Sequence, residues 1–430
     1  MSLPYSDLRP AEYIPRIYDE KLFNLLNSFT LVEVEGIRGC GKTWTCLARA
    51  RSITHVDDIA IVLPMVQSQP RLALGGVRPH LIDEWTAHPP LQDEAYQAAS
   101  KKGTFLLTTS LAPEKAGSYA RGHASQGAHM RMRTFSLAEL HASDEGISLG
   151  QLLAGVFDPF PSHVKLDRIA EYLCAGGWPR SFEPESEEAG TCVSRRISET
   201  LAYYAPMLGR KEAVMRRMLH VLALSAGEDL THQDIARRMA GDGSKVPSRN
   251  TVCAYLQSLL RAYLIEELPG WMAPIRSASR VKTKPRFFVA DPSIGSVTAG
   301  LLPEDLLGNA QLFSALFKTL VAHELLVYLE VFGGAAGDGA QLCYYADADG
   351  LSVDFVVLFG DGRWAAINAE VGDTQVPASI KRLERLKKKI AGGGQLGGPA
   401  FTAVIVATTE HPRQDETSGC YVFPITSLTA

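Results

Sequence analysis

Eight residues, Gly36 to Thr43, read GIRGCGKT, a G-x-x-x-x-G-K-T spacing. Glycines at 36, 39 and 41 let the backbone turn its N–H groups inward around phosphate oxygens. Lys42 reaches β- and γ-phosphates, and the Thr43 hydroxyl is a ligand for Mg²⁺. About one chain in a hundred of this length matches the pattern by chance, so the flanking residues decide. TLVEVEG before the loop sets Leu31, Val32 and Val34 against Glu33 and Glu35, which predicts a strand. KTWTCLARARS after it has neither Gly nor Pro and predicts a helix with Trp44, Leu47 and Ala48 on one face. The nucleotide-facing set is then Gly36, Gly39, Cys40, Gly41, Lys42, Thr43 and Trp44.

A phosphate loop needs a second element, an apolar strand ending in an acid. RPHLIDEWTA supplies Leu81 and Ile82 running into Asp83 and Glu84. Asp83 would hold Mg²⁺ through water, and Glu84 would polarise an attacking water, so Lys42 and Glu84 form the expected catalytic pair. GTFLLTTS predicts a third strand whose end brings the Thr108 hydroxyl near the γ-phosphate or simply caps a strand. In MRMRTFSL, Arg131 and Arg133 alternate with apolar residues, as phosphate sensors or as solvated edge charges.

These elements alternate strand and helix from about residue 11 to 158, which predicts a parallel sheet. GVFDPFPSHVK marks a boundary, and LDRIAEYLCAGGWPRSF predicts a helix ended by Gly176 and Gly177. LTHQDIARRMA and SRNTVCAYLQSLLRAYLI have the rhythm of a helix-turn-helix, with Ser248 capping the second helix. That helix would present Arg249, Asn250 and Thr251 to DNA bases. IEELPGW and PRFFVAD would form wing strands. The stretch around them holds Arg276, Arg280, Lys282, Lys284 and Arg286 and no acid, which suits phosphate contacts or plain solvation. The helix IKRLERLKKKI, with six basic residues and one acid, has the same two readings.

Composition sets the limits. A chain of 430 residues, 46% hydrophobic and 21% charged, suits a globular protein of two to four domains. A formal charge of -4 predicts no polyanion partner globally, so a nucleic-acid site would be a local patch. Seven cysteines without a CxxC pair predict a reducing compartment and no zinc site. With no apolar leader at the start and no run of 18 apolar residues, the expectation is a cytoplasmic protein without a membrane span.

In order along the chain, YIPRIYDEKL, GIRGCGKTWT, LIDEW, FLLTTS, RMRTFSLAEL, GGWP, SRNTVCAYLQSLLRAYLIEELP, FFVADPSI, LFKTLVAHEL, GLSVDFVV and DGRWAAINAEVG occur. Taken together, this set resembles the prokaryotic AAA-like ATP-binding proteins that carry a C-terminal nuclease-like domain of unknown function. The resemblance implies an α/β chain: an AAA-like P-loop NTPase domain with a parallel sheet (11–158), a helical lid (159–205), a winged-helix domain (206–304) and an α/β domain similar to the PD-(D/E)xK nuclease fold (305–430). It implies ATP and Mg²⁺ as cofactors. Candidate partners are ATP or ADP, DNA and a second protein, with homo-oligomers left open. In the terminal domain the family's Glu and Lys fall on Asn368 and Glu370, and Lys318 stands where a Glu is common. Only Asp354 keeps the pattern, so the nuclease site is expected to be inactive. Two functions stand: an Mg²⁺-dependent ATPase that couples nucleotide state to domain rearrangement, or a nucleotide-gated DNA-binding or protein-interaction module with negligible turnover.

Overall fold

The computed structural model describes residues 5–114, 122, 124–140, 146–159, 161–179, 188–241, 246–273, 280–392 and 396–430. The chain divides into two compact units, Met1–Thr134 with Arg261–Tyr263, and Phe135–Leu260 with Leu264–Ala430.

The first unit is built on five parallel strands: β1 (Leu31–Glu35), β2 (Ser52–His55), β3 (His80–Asp83), β4 (Phe105–Thr109) and β5 (Gly127–Arg131). Their order in space is β2-β3-β4-β1-β5. Parallel strands are covered on both faces and read as continuous apolar runs. That overrides the alternation expected for β1: Glu33 lies in the middle of the strand and is buried. Its carboxylate accepts both contacts from Gln92 Nε2 at 3.0 Å and one from the Tyr96 hydroxyl at 3.3 Å. Burial pushes the Glu33 carboxyl up. The helix after the loop, Lys42–Leu47, is one and a half turns long and buries Lys42, Thr45 and Cys46, so Trp44 lies on its exposed side rather than on the expected apolar face.

The second unit carries the helices Leu166–Ala175, Glu188–Met207, Glu212–Leu224, His232–Ala240 and the body of Arg249–Arg261. An antiparallel pair follows, β7 (Ile265–Leu268) with β8 (Arg286–Val289). Helix Ala310–Val331 then leads into six strands: β9 (Gln341–Ala346), β10 (Ser352–Leu358), β11 (Trp364–Glu370), β12 (Phe401–Val406), β13 (Arg413–Gln414) and β14 (Tyr421–Pro424). Their order is β13-β14-β12-β11-β10-β9, antiparallel from β9 to β11 and parallel from β11 through β12 to β14. Helix Val376–Ala391 makes the crossover between β11 and β12. Residues 135–158, grouped by sequence with the phosphate loop, cluster with this unit, where β6 (Ile147–Ser148) pairs with β15 (Leu428–Thr429). Helix Ala310–Val331 is long and apolar enough to cross a membrane, but 78% of its most apolar window is buried inside the protein.

Candidate functional site

β1 delivers the chain into the loop at Gly36, whose φ is 153° and whose Cβ, if present, would lie 2.0 Å from the Met132 carbonyl oxygen. Only glycine fits there. Gly39 and Gly41 take φ of 86° and 103°, the turn an inward-facing row of amides requires. The buried Lys42 ammonium lies across the loop, donating to the carbonyls of Gly36 at 2.9 Å and Ile37 at 3.0 Å. Cys40 is buried with its Sγ 3.6 Å from the Met132 carbonyl. Trp44 is 37% exposed.

Strand order brings the second element to the loop. β4 lies between β1 and β3, so the C-terminal ends of all three meet at one edge, where ligands bind in open parallel sheets. Thr43 Oγ1 donates to Asp83 Oδ1 at 2.9 Å. Thr108 Oγ1 donates to the same oxygen at 2.5 Å and accepts the Glu84 N–H at 3.1 Å. The structure therefore places the Thr108 hydroxyl between the Asp83 carboxylate and the Glu84 backbone N–H. His55, opposite Asp83 in the β2–β3 register, meets Asp83 Oδ2 at 3.0 Å. Burial pushes the Asp83 carboxyl up, but hydrogen bonds from His55, Thr108 and Thr43 outweigh it and hold Asp83 below the usual carboxylate range. The same hydrogen bond raises the His55 imidazole above its ordinary value.

Glu84 takes φ 53°, a left-handed backbone that costs a non-glycine residue about 1–2 kcal/mol. Its carboxylate turns to the end of β4, accepting the Ser110 N–H at 2.9 Å on one oxygen and the Ser110 hydroxyl on the other. Burial, then the charges of Glu84 and Asp83, push the neighbouring Asp57 carboxyl up. A divalent cation would relieve that excess of negative charge. The Thr43 hydroxyl and Asp83 carboxylate supply two hard oxygens, which fits Mg²⁺ with phosphate and water completing its shell. Among the described residues no group of three or more His, Cys, Asp and Glu side chains converges on a metal site.

The two arginines part company. Arg131, the last residue of β5, holds its guanidinium 4.7 Å from the centre of the Tyr263 ring, and the Tyr263 hydroxyl donates to Glu35 at 2.8 Å. Arg133 is buried rather than a solvated edge charge, and its N–H donates to the Tyr18 hydroxyl at 3.2 Å. Sequence reading missed Arg16, His55, Asp57 and Ser110. The one available signal was the acid count after β2, since Asp57 and Asp58 follow a strand that must end at the same edge.

In the second unit, the motifs GGWP and VADPS are two halves of one buried joint. Asp291 caps helix Pro292–Ala299 by accepting the Ser293 N–H at 2.9 Å, and its other oxygen accepts the Gly177 N–H at 2.9 Å. Trp178 Nε1 donates to Ser293 Oγ at 2.9 Å. A Cβ on Gly177 would stand 2.1 Å from the Phe135 carbonyl oxygen.

Ser248 caps its helix as expected, accepting the Thr251 N–H at 3.1 Å, and Arg249 and Asn250 are exposed. Arg276 lies outside the described residues. Arg280 and Lys284 are exposed. Lys282 is paired with Asp229 at 2.8 Å. Arg286 is buried, bonded to Asp229 at 2.7 Å and stacked 3.9 Å from the Tyr344 ring centre. The stretch has no acid of its own, yet Asp229 from outside neutralises two of its cations. The β7–β8 connection also pairs along β9, the sheet's edge strand. Trp271 N–H donates to the Tyr344 carbonyl at 2.7 Å, and Lys282 N–H to the Ala346 carbonyl at 2.9 Å. Trp271 then packs on Trp364 with ring centres 5.0 Å apart.

In the terminal sheet, Lys318 Nζ donates to Asp354 Oδ1 at 2.8 Å. Burial pushes the Asp354 carboxyl up, but Lys318 and the Ala369 N–H hold it below the usual range. Asn368 is buried and accepts the Asp354 N–H at 3.0 Å. Glu370 is engaged by Ser379 and Arg382.

A family model described as "Domain of unknown function (DUF8612)" matches residues 166–305. No curated protein matches the chain. Among solved structures it is similar to a Walker-type ATPase of Pyrococcus abyssi, at 14% identity over 68% of this chain and 97% of that one, TM-score 0.42. It is also similar to AMPPCP-bound DnaA from Aquifex aeolicus, at 14% identity over 57% and 86%, TM-score 0.25. A third likeness is the Aeropyrum pernix ORC1 protein in complex with DNA, at 12% identity over 68% and 95%, TM-score 0.28. The likenesses are distant, and the chemistry rests on this chain's own residues.

Proposed function

We propose that the first unit binds ATP with Mg²⁺ and hydrolyses it, and that residues 11–158, 159–205, 206–304 and 305–430 act as an AAA-like ATP-binding domain, a helical lid, a winged helix and a nuclease-like scaffold that does not cut, in a cytoplasmic protein. The observation that carries this is the meeting of Thr43 with Asp83 at 2.9 Å beside a loop spanned by Lys42. The loop amides and Lys42 bind the phosphates; Thr43 and Asp83 hold the metal. Mg²⁺ held there would neutralise phosphate charge. Glu84 takes up the proton of the attacking water once its carboxylate leaves Ser110. Arg131 and Arg133 stand at the end of β5, beside the loop, as candidate sensors of the γ-phosphate. Lys318 bonded to Asp354 supports an inactive nuclease-like domain, because an ammonium occupies the acid a metal would need.

Nucleotide state would reach the winged helix through the chain itself. Arg261–Tyr263, which cluster with the first unit, are the direct continuation of helix Arg249–Arg261. The second reading, nucleotide-gated binding of DNA or a protein with negligible turnover, is favoured by one feature, the Glu84 carboxylate held at Ser110.

Calorimetry with Mg²⁺-ATP tests the binding and phosphate release with and without duplex DNA tests the turnover. Lys42→Ala is expected to abolish binding while the fold, followed by circular dichroism, survives. Unchanged affinity in that variant rejects the phosphate-loop assignment.

A further inference from the structure

The loop is gripped from outside as well as within. Arg16 is buried, and its guanidinium donates from one nitrogen to the Cys40 carbonyl at 2.7 Å and from another to the Arg133 carbonyl at 3.0 Å. The backbone of Arg16 is fixed in turn, because its N–H donates to Asp19 at 3.1 Å. Asp19 is itself held by the hydroxyls of Tyr13 at 2.6 Å and Tyr5 at 3.0 Å. A planar guanidinium fork holds two carbonyls at a fixed spacing and in a fixed plane; an ammonium has the donors but not the rigid fork.

The carbonyl it holds matters. In a trans peptide the C=O and the following N–H point in opposite directions. Drawing the Cys40 carbonyl toward Arg16 therefore aims the Gly41 N–H the other way. Among the described residues nothing accepts from that N–H. Gly41 needs φ 103° for this, which glycine supplies. The partner carbonyl, Arg133, follows Met132, whose own oxygen is the surface that Gly36 and the Cys40 thiol pack on. One side chain thus ties the loop's last turn to the chain segment that walls its first.

We propose that Arg16 is a positioning residue for phosphate binding: it orients the Cys40–Gly41 peptide so that the Gly41 amide faces the ligand before the ligand arrives. The proposal rests on the phosphate-loop reading above. Arg16 would act through that peptide rather than by touching the ligand.

The test titrates Mg²⁺-ATP and, as a probe of the loop alone, inorganic pyrophosphate into the full-length parent, Arg16→Ala and Arg16→Lys, with apo melting temperatures beside them. Losing a charge-assisted bond at the loop is expected to weaken both ligands about 10- to 100-fold in Arg16→Ala. Arg16→Lys, which keeps the charge and one of the two bonds, is expected to recover part of that loss. A purely structural role would instead lower the melting temperature and leave both affinities equal to the parent's, which overturns the proposal. If Arg16→Ala does not fold, Arg16→Lys decides: parent-like affinity for pyrophosphate overturns it, and a several-fold loss supports it. A parent that binds neither ligand would fail the phosphate-loop reading, and the proposal falls with it.

Discussion

Ser110 holds Glu84 by both carboxylate oxygens, one through its N–H at 2.9 Å and one through its hydroxyl. The residue proposed to activate water is thus committed to the neighbouring strand end. Glu84→Gln is expected to retain nucleotide and slow hydrolysis by about 10²-fold or more, the loss of a general base. Ser110→Ala removes one of the two tethers and is expected to raise kcat several-fold at unchanged nucleotide affinity. Steady-state phosphate release measures both. Equal turnover in parent and Glu84→Gln would assign Glu84 to structure.

If DNA is the partner, the exposed cations Arg249, Arg280 and Lys284 should behave differently toward it from the paired Lys282 and Arg286. Neutralising Arg249, Arg280 and Lys284 together is expected to flatten the salt dependence of duplex binding by about 2–3 in log–log slope, near 0.9 per phosphate contact. Replacing Lys282 and Arg286 should leave that slope alone and lower stability, since Asp229 loses both partners. Absence of any shift of labelled duplex at low salt, with or without ATP, would remove DNA from the partners.

Asp354→Asn should expose what Lys318 does. Breaking a largely buried pair is expected to cost roughly 2–3 kcal/mol, less than the 3–5 of a fully buried one because both side chains keep some solvent contact. The sign with pH follows from the depressed Asp354 value. Its stabilisation is complete above the unfolded carboxylate value of about 3.9 and is lost as pH falls through the lower folded value. Urea unfolding should find a constant gap between parent and variant from pH 5 to pH 8 that closes in acid. No cleavage of plasmid or single-stranded DNA with Mg²⁺ or Mn²⁺ is expected; cleavage that vanishes in Asp354→Asn would restore a nuclease.

Gly177→Ala places a methyl 2.1 Å from the Phe135 carbonyl oxygen, and the nearest atoms are all Phe135 backbone, which cannot swing aside as a side chain would. A loss of about 2–4 kcal/mol is expected in chemical unfolding. A variant as stable as the parent would mean that the Gly177–Asp291 joint yields easily.

What could be read from the chain was local. Gly36, Gly41, Lys42 and Thr43 sit within eight residues, so their closeness follows from spacing alone. Asp83 was legible because an apolar strand ending in acid is itself a local pattern. His55 and Ser110 were not, because each reaches the site only through the order β2-β3-β4-β1. Thr108 was noticed as a strand-end hydroxyl, yet its place between Asp83 and Glu84 depends on which strands are neighbours. Glu33 misled for a related reason: a parallel strand covered on both faces hides a charge that looks solvated in sequence. In the basic stretch the pairing of Lys282 and Arg286 was not legible, because their counter-charge, Asp229, lies far away in the chain.

The pairing of the Trp271 and Lys282 backbones with β9 has a consequence for synthesis. The β7–β8 pair leaves the ribosome before the strand its connection leans on. Until β9 follows, the hairpin has no edge to pair with, and until β11 follows the indole of Trp271 has no Trp364 to cover it. The terminal strands then act in cis to cover the hairpin made before them, and a message cut short ahead of residue 341 would release a product prone to clump.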